Sequence, residues 1–146
     1  MGEIEEKIMH SCSRISKKWG FGAPLGRILG LMLIESRPMT QSEIKRGSGY
    51  SKGLVSRTLA KMRELGMVEV ERNGRELIYS LRFSLPSILS LMVERFLEED
   101  IRPILENLSE IEWDGDRRRK LERMLKEYSA LSTAIKSFSS ILKEYL

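Results

Sequence analysis

Ser48 to Gly66 reads SGYSKGLVSRTLAKMRELG, and the fold turns on how this stretch is read. Its first residues are small and break regular structure. Ser51 then has the character of a helix N-cap, and the periodic run after it continues to Leu65 and stops at Gly66. With Val55 at the centre of the inner side and 100° per residue, Thr58, Leu59 and Met62 also point inward. Gly53, Ser56, Arg57, Ala60, Lys61 and Glu64 point outward, with Lys52 beside them near the start. A face needing only solubility has no use for glycine and alanine gaps beside cations. A face that must approach a polyanion closely does.

The flanking segments give this helix a setting. Thr40-Gln41-Ser42-Glu43 has the capping-box pattern, so a short helix is expected from there to about Arg46, ended by Gly47-Ser48-Gly49. Beyond Gly66 the period changes from helical to alternating. MVEVER (67–72) and ELIYSL (76–81) flank Asn73-Gly74, a hairpin signal in which both residues tolerate positive φ. Two helices joined by a glycine turn and followed by a hairpin make a winged helix-turn-helix. In that arrangement the second helix, 51–65, enters the DNA major groove. The expected DNA-facing set is Thr40, Ser51, Lys52, Gly53, Ser56, Arg57 and Lys61. The wing, Arg72, Asn73, Gly74 and Arg75, is expected to lay an arginine at the minor groove.

The rest of the chain reads as helix. Glu3 to Trp19 carries Ile4, Ile8, Cys12, Ile15 and Trp19 as an apolar stripe. Pro24 suits the first turn of a nearly all-apolar, buried helix to Ser36. After Ser84, helical stripes continue past Pro103, which is expected to kink or restart the helix, and past a turn at Trp113-Asp114-Gly115-Asp116. A final helix then runs from Arg117 to Leu146. The expected fold is mostly α with a small β-hairpin wing. Residues 1–83 would form the DNA-binding domain with its N-terminal helix, and 84–146 a helical dimerisation region. Ile88, Met92, Phe96, Leu121, Leu125, Tyr128, Ile135, Phe138 and Leu142 are the expected dimer contacts, made within or between subunits.

Composition narrows the function classes. A 41% hydrophobic and 32% charged make-up suits a folded, well-solvated chain. No apolar run is long enough for a membrane span and no leader pattern is evident, so a cytoplasmic protein is expected. Between Arg37 and Arg82 ten Lys/Arg face five Asp/Glu, a local surplus of +5 in a chain whose net charge is +4. One His and one Cys, His10 and Cys12, cannot supply a zinc site, and no catalytic constellation or phosphate-cradling loop is present; neither cofactor nor enzyme activity is expected. Trp19, Phe21, Trp113 and Tyr128 read as core rather than as an aromatic cage, so a small-molecule effector is possible but not predicted. Arg117-Arg118-Arg119-Lys120 is either a solvated helix start or a phosphate contact.

GFGAPLGRILGLMLIESRPMTQSEI (20–44), YSKGLVSRTLAKMRELGMVE (50–69) and NGRELIYSL (73–81) resemble the MarR superfamily of winged-helix regulators, most closely its GbsR-like branch. Ser51-Lys52-Gly53-x-Val55-Ser56-Arg57-x-Leu59 is similar to the family's recognition-helix signature. Lys45 and Ser48 depart from the family pattern of Ala and Leu. The resemblance implies a homodimeric transcriptional regulator with a pseudo-palindromic double-stranded DNA site. The competing expectation is a winged helix used as a protein-interaction module or an accessory subunit of the transcription machinery, a use that would tolerate an acidic or apolar outer face.

Overall fold

The structure, a computed structural model, describes residues 2–82, 84–112 and 114–146, so Trp113 lies outside the described residues. The chain forms two compact units, Met1–Phe83 and Ser84–Leu146. The first contains α1 (Glu3–Lys18), α2 (Ala23–Glu35), β1 (Met39–Thr40), α3 (Gln41–Ser48), α4 (Lys52–Glu64), β2 (Val68–Asn73) and β3 (Glu76–Leu81). It is mostly helical with a three-stranded antiparallel sheet in the order β1-β3-β2. The expected two-stranded wing thus gains a third strand. Met39 and Thr40 pair with Tyr79 and Ile78, which ties the start of α3 to the wing.

The core of this unit is Leu25, Ile28, Leu31 and Met32 of α2, Ile44 of α3, and Val55, Leu59 and Met62 of α4, joined by Met39, Val68 and Tyr79. The side chains of α2 are buried on most of its circumference, as a near-continuous apolar run requires.

α1 packs on α2 with a face other than its large apolar stripe. Met9 and Ser16 are buried and Cys12 and Ser13 are half-buried, while Ile4, Ile15 and Trp19 are 72%, 54% and 46% exposed. The cause lies on α2, where Gly26 and Gly30 are one turn apart. A methyl group at Gly26 would overlap the Cys12 carbonyl, and one at Gly30 would sit 3.1 Å from the Met9 Cα. Two backbones that approach this closely admit only small residues between them. Ser13 and Ser16 are therefore on the inner face, their hydroxyls donating to the Ala23 and Gly22 carbonyls at 2.9 and 2.7 Å.

α3 is longer than its glycines suggest and runs through Gly47 to Ser48. A Cβ at Gly47 would meet both Leu31 methyls at 2.8 Å, so this glycine admits the α2 side chain instead of ending the helix. The stop is Gly49, in the left-handed conformation at φ +77, whose amide donates back to the Lys45 carbonyl. Ser48, where the family pattern has leucine, is 2% exposed; its Oγ accepts from the Tyr50 amide at 3.2 Å.

The hairpin tip is also displaced by one residue. Asn73 pairs with Glu76, so the two tip residues are Gly74 and Arg75 rather than Asn73 and Gly74. Gly74 has φ +65 and Arg75 does not have positive φ, the pattern of a turn with glycine at its first central position.

The second unit contains α5 (Leu85–Phe96), a π turn (Leu97–Ile101), α6 (Arg102–Glu110) and α7 (Gly115–Lys143). Pro103 sits in the first turn of α6, and the π turn stands just before it. A proline cannot donate to the carbonyl four residues back, so the helix restarts at this point. Ile88, Val93, Ile101 and Leu108 are buried in this unit. α7 meets α5 along a side that includes the buried Ser132 and Ser139, and Lys143 pairs with Glu94 at 2.7 Å. No helix among the described residues is long and apolar enough to cross a membrane.

Candidate nucleic-acid interface

The outward face of α4 has the composition read from its periodicity. Val55, Leu59 and Met62 are fully buried and Thr58 nearly so, whereas Lys52, Gly53, Ser56, Arg57, Ala60, Lys61 and Glu64 are exposed. Ser51 Oγ accepts the Leu54 amide at 3.2 Å and caps the helix, so its hydroxyl is already engaged locally. The other first-turn amides add partial positive charge beside Lys52.

Gly53 has a specific neighbour. A Cβ there would lie 3.2 Å from Nη1 of Arg57, one turn further along. The glycine therefore lets the Arg57 guanidinium fold back along the helix surface. Among the described residues no ion pair or hydrogen bond holds that guanidinium, which leaves its donors for a ligand.

Two further residues of the expected contact set are also engaged by neighbours. Lys61 Nζ donates to the Phe21 carbonyl at 3.1 Å and lies 6.0 Å from the Phe21 ring centroid. Its ammonium braces the α1–α2 loop against α4 and retains two further donors. Thr40 is the N-cap of α3: its Oγ1 accepts the Glu43 amide at 3.2 Å, and the Glu43 carboxylate accepts the Thr40 amide at 3.3 Å. Arg37 holds the same carboxylate at 2.6 Å and, with the Thr40 bond, keeps the Glu43 carboxyl below its ordinary pKa. Thr40 thus contributes as a cap and groove wall.

A groove of about 340 Å³ lies where the start of α3, the start of α4 and the wing meet. Thr40, Gln41, Ser42, Lys45, Lys52, Arg75, Glu76 and Leu77 line it. Lys45, Lys52 and Arg75 put three cations on its rim against one carboxylate, Glu76. Lys45, Gln41 and Ser42 were missed from sequence. The signal available was that α3 starts with polar residues, Gln41 and Ser42, and carries Lys45 one turn on. Arg72 is exposed in β2 opposite Leu77, and Arg75 stands at the tip itself, so the wing leads with Arg75.

The remaining conspicuous cation, Arg27, is directed inward. It donates to the Ser48 carbonyl and to both Glu6 oxygens. This pairing lowers the Glu6 pKa and raises that of Arg27. Cys12, against Gly30, has its thiol pKa raised by burial, which keeps it protonated and unreactive. No group of three or more His, Cys, Asp or Glu among the described residues is placed to hold a metal ion. Trp19 is too exposed to be core, while Phe21 and Tyr128 are half-buried.

Residues 27–76 match the family model of the MarR family. The chain is 30% identical over 83 residues to the putative HTH-type transcriptional regulator YvaV of Bacillus subtilis (strain 168), covering 53% of this chain and 47% of that protein. It is 27% identical over 79 residues to the HTH-type transcriptional repressor OpcR of the same organism, covering 53% and 43%. The aligned region thus spans about half the length of the curated relatives it matches. A solved structure described as a transcriptional regulator superposes with a TM-score of 0.64 over 97% of this chain and 99% of its own, at 14% identity, a likeness of fold. The match over residues 27–76, together with two helices, a glycine turn and a wing in the required order, makes the winged helix-turn-helix segment of this chain similar to that of the MarR family.

Proposed function

We propose that the chain is a sequence-specific double-stranded-DNA-binding transcriptional regulator of the GbsR-like type, working as a cytoplasmic homodimer. The observation that carries this reading is the continuous exposed surface formed by α4 and the groove beside it. Lys52, Arg57, Lys45 and Arg75 are all exposed there, none held in a salt bridge among the described residues. Arg57 and Lys52 would read or clamp the major groove, while Arg75 would reach the minor groove from the wing. A protein-interaction module has no need of four uncommitted cations on one surface. Selection from random duplex DNA tests the reading: a recovered motif with two related half-sites supports it, and random output overturns it.

The dimer part of the proposal rests on unpartnered apolar surface. On α1 this is the stripe Ile4, Ile8, Ile15 and Trp19. On α7, Met124, Leu131 and Phe138 recur every seventh residue, Tyr145 continues the spacing just past the helix end, and all are exposed, with Ile141 beside them. The other α7 side, Leu121, Leu125, Tyr128, Ile135 and Leu142, is half-buried within its own unit, as is Met92 of α5, and Ile88 is fully buried there. Of the residues expected at a dimer contact, Phe96 and Phe138 are the most open. A self-associating seam would therefore run along the 124–131–138–145 side. Two copies would place their recognition helices about 34 Å apart, one DNA turn. Sedimentation at tens of micromolar tests this; a monomer there refutes it.

A further inference from the structure

Arg27 is the only cation of α2, and its side chain ends among α1, α3 and the turn before α4. Its Nε donates to the Ser48 carbonyl at 2.7 Å. Its Nη1 and Nη2 donate to the two Glu6 oxygens on α1 at 2.7 and 3.0 Å. The guanidinium carbon lies 5.8 Å from the centre of the Tyr50 ring. Only a guanidinium offers this combination of in-plane donors and a stacking face. Ser48 is the last residue of α3, and Tyr50 immediately precedes the cap of α4. Between them stands Gly49 at φ +77, the one left-handed joint in the turn.

The contacts thus grip both sides of that joint. The body of α4 is fixed by burial of Val55, Leu59 and Met62. Its N-terminal end carries Ser51, Lys52 and Gly53, which are all exposed, so core packing does not hold them. The turn holds that end; its own bonds, Gly49 to the Lys45 carbonyl and Tyr50 to the Ser48 hydroxyl, close it locally, and Arg27 ties it to α1. The arginine side chain is 19% exposed and the Glu6 side chain 56%, so the pair lies where shielding from water begins to strengthen it.

We propose that Arg27 is a positioning residue for the recognition helix. By clamping the α3–α4 turn against Glu6 of α1, it presents the first turn of α4 to DNA in one orientation. This rests on the DNA-binding reading above and adds to it the determinant of how precisely α4 is aimed. The physical consequence is a separation of two kinds of affinity. Phosphate attraction depends on the charges of the outer face and is insensitive to small rotations, whereas base contacts require alignment.

The test uses the full chain, the duplex recovered by selection and an unrelated duplex of equal length. Glu6→Gln leaves the core untouched and weakens the clamp; Arg27→Met removes it. Both are expected to lower affinity for the selected duplex by about tenfold or more, the effect of losing a charge-assisted hydrogen bond. Affinity for the unrelated duplex and its salt dependence should stay at the wild-type level. Arg27→Lys, which keeps charge but cannot hold both partners, should fall between. Hydrogen exchange should quicken at the Leu54 and Val55 amides, the first bonded in α4, without change in α7. If folded Glu6→Gln and Arg27→Met keep the wild-type ratio of selected to unrelated binding, the role of Arg27 is overturned while the DNA-binding reading stands. A wild-type chain that prefers no duplex overturns that reading itself, and this role with it.

Discussion

α1 and α4 are both amphipathic helices of the same unit, and the periodicity of their apolar residues points to opposite outcomes. In α4 the large apolar residues Val55, Leu59 and Met62 mark the buried side. In α1 the large apolar residues Ile4, Ile8, Ile15 and Trp19 mark the exposed side, and the buried side is built from Met9, Cys12, Ser13 and Ser16. The difference lies in the partner. α4 packs on ordinary side chains that leave room for bulk, whereas α1 crosses α2 at Gly26 and Gly30, where bulk cannot enter. A hydrophobic stripe shows that a face avoids water. It does not show whether the same unit covers that face.

The largest expected effect breaks this comparison at its cause. Gly26→Val drives a side chain into the Cys12 backbone and should destabilise the chain by about 3 kcal/mol or more, read as a fall in the thermal midpoint. An unchanged midpoint would mean that the close crossing is not what selects the small face of α1.

The next sharpens the meaning of the exposed stripe. Ile15→Glu should leave the fold intact, since the side chain is already 54% exposed. It should weaken self-association by about 2 kcal/mol, the worth of burying one isoleucine, measured by sedimentation across a concentration series. A loss of fold without change in association would put this stripe inside the unit after all.

On α4 the expected effect is of similar or smaller size and of different kind. Arg57→Ala should lower affinity for the selected duplex by about 1–3 kcal/mol, with stability within about 0.5 kcal/mol of wild type. Equal affinities in a salt titration would remove Arg57 from the interface. The smallest effect belongs to Gly53→Ala. It should raise stability by roughly 0.5–1 kcal/mol through helix propensity and slightly weaken DNA binding, because the new methyl displaces the Arg57 guanidinium. Both signs are readable by pairing denaturation with titration; tighter binding would mean that the folded-back Arg57 position is not the one used.

Two residues of the expected DNA-facing set, Thr40 at a helix cap and Lys61 on a helix face, are partly spent on neighbours. Thr40 is bonded to Glu43, three residues on, and Lys61 to Phe21, forty residues away. The first partner is implied by the capping box; the second has no local signal at all. The wing tip was misplaced by one residue because an Asn-Gly pair permits positive φ at both positions without demanding it. Strand pairing of Asn73 with Glu76 settled which residues turn. The sixty-odd residues after Ser84 were legible as helices, but their two apolar sides on α7 were not separable until α5 took one of them.

By itself the sequence determined the order of the helices and the hairpin, the cap of α3 and of α4, and the inward face of α4. These follow from dihedral preference, capping and periodicity, all of which act within a few residues. Tertiary structure alone decided which face of α1 is buried, that Gly47 lies inside a helix, and that Arg27 of α2 grips the turn before α4. Each of those depends on how closely two backbones approach or on a donor meeting an acceptor more than twenty residues distant, and such distances are set only when the chain closes on itself.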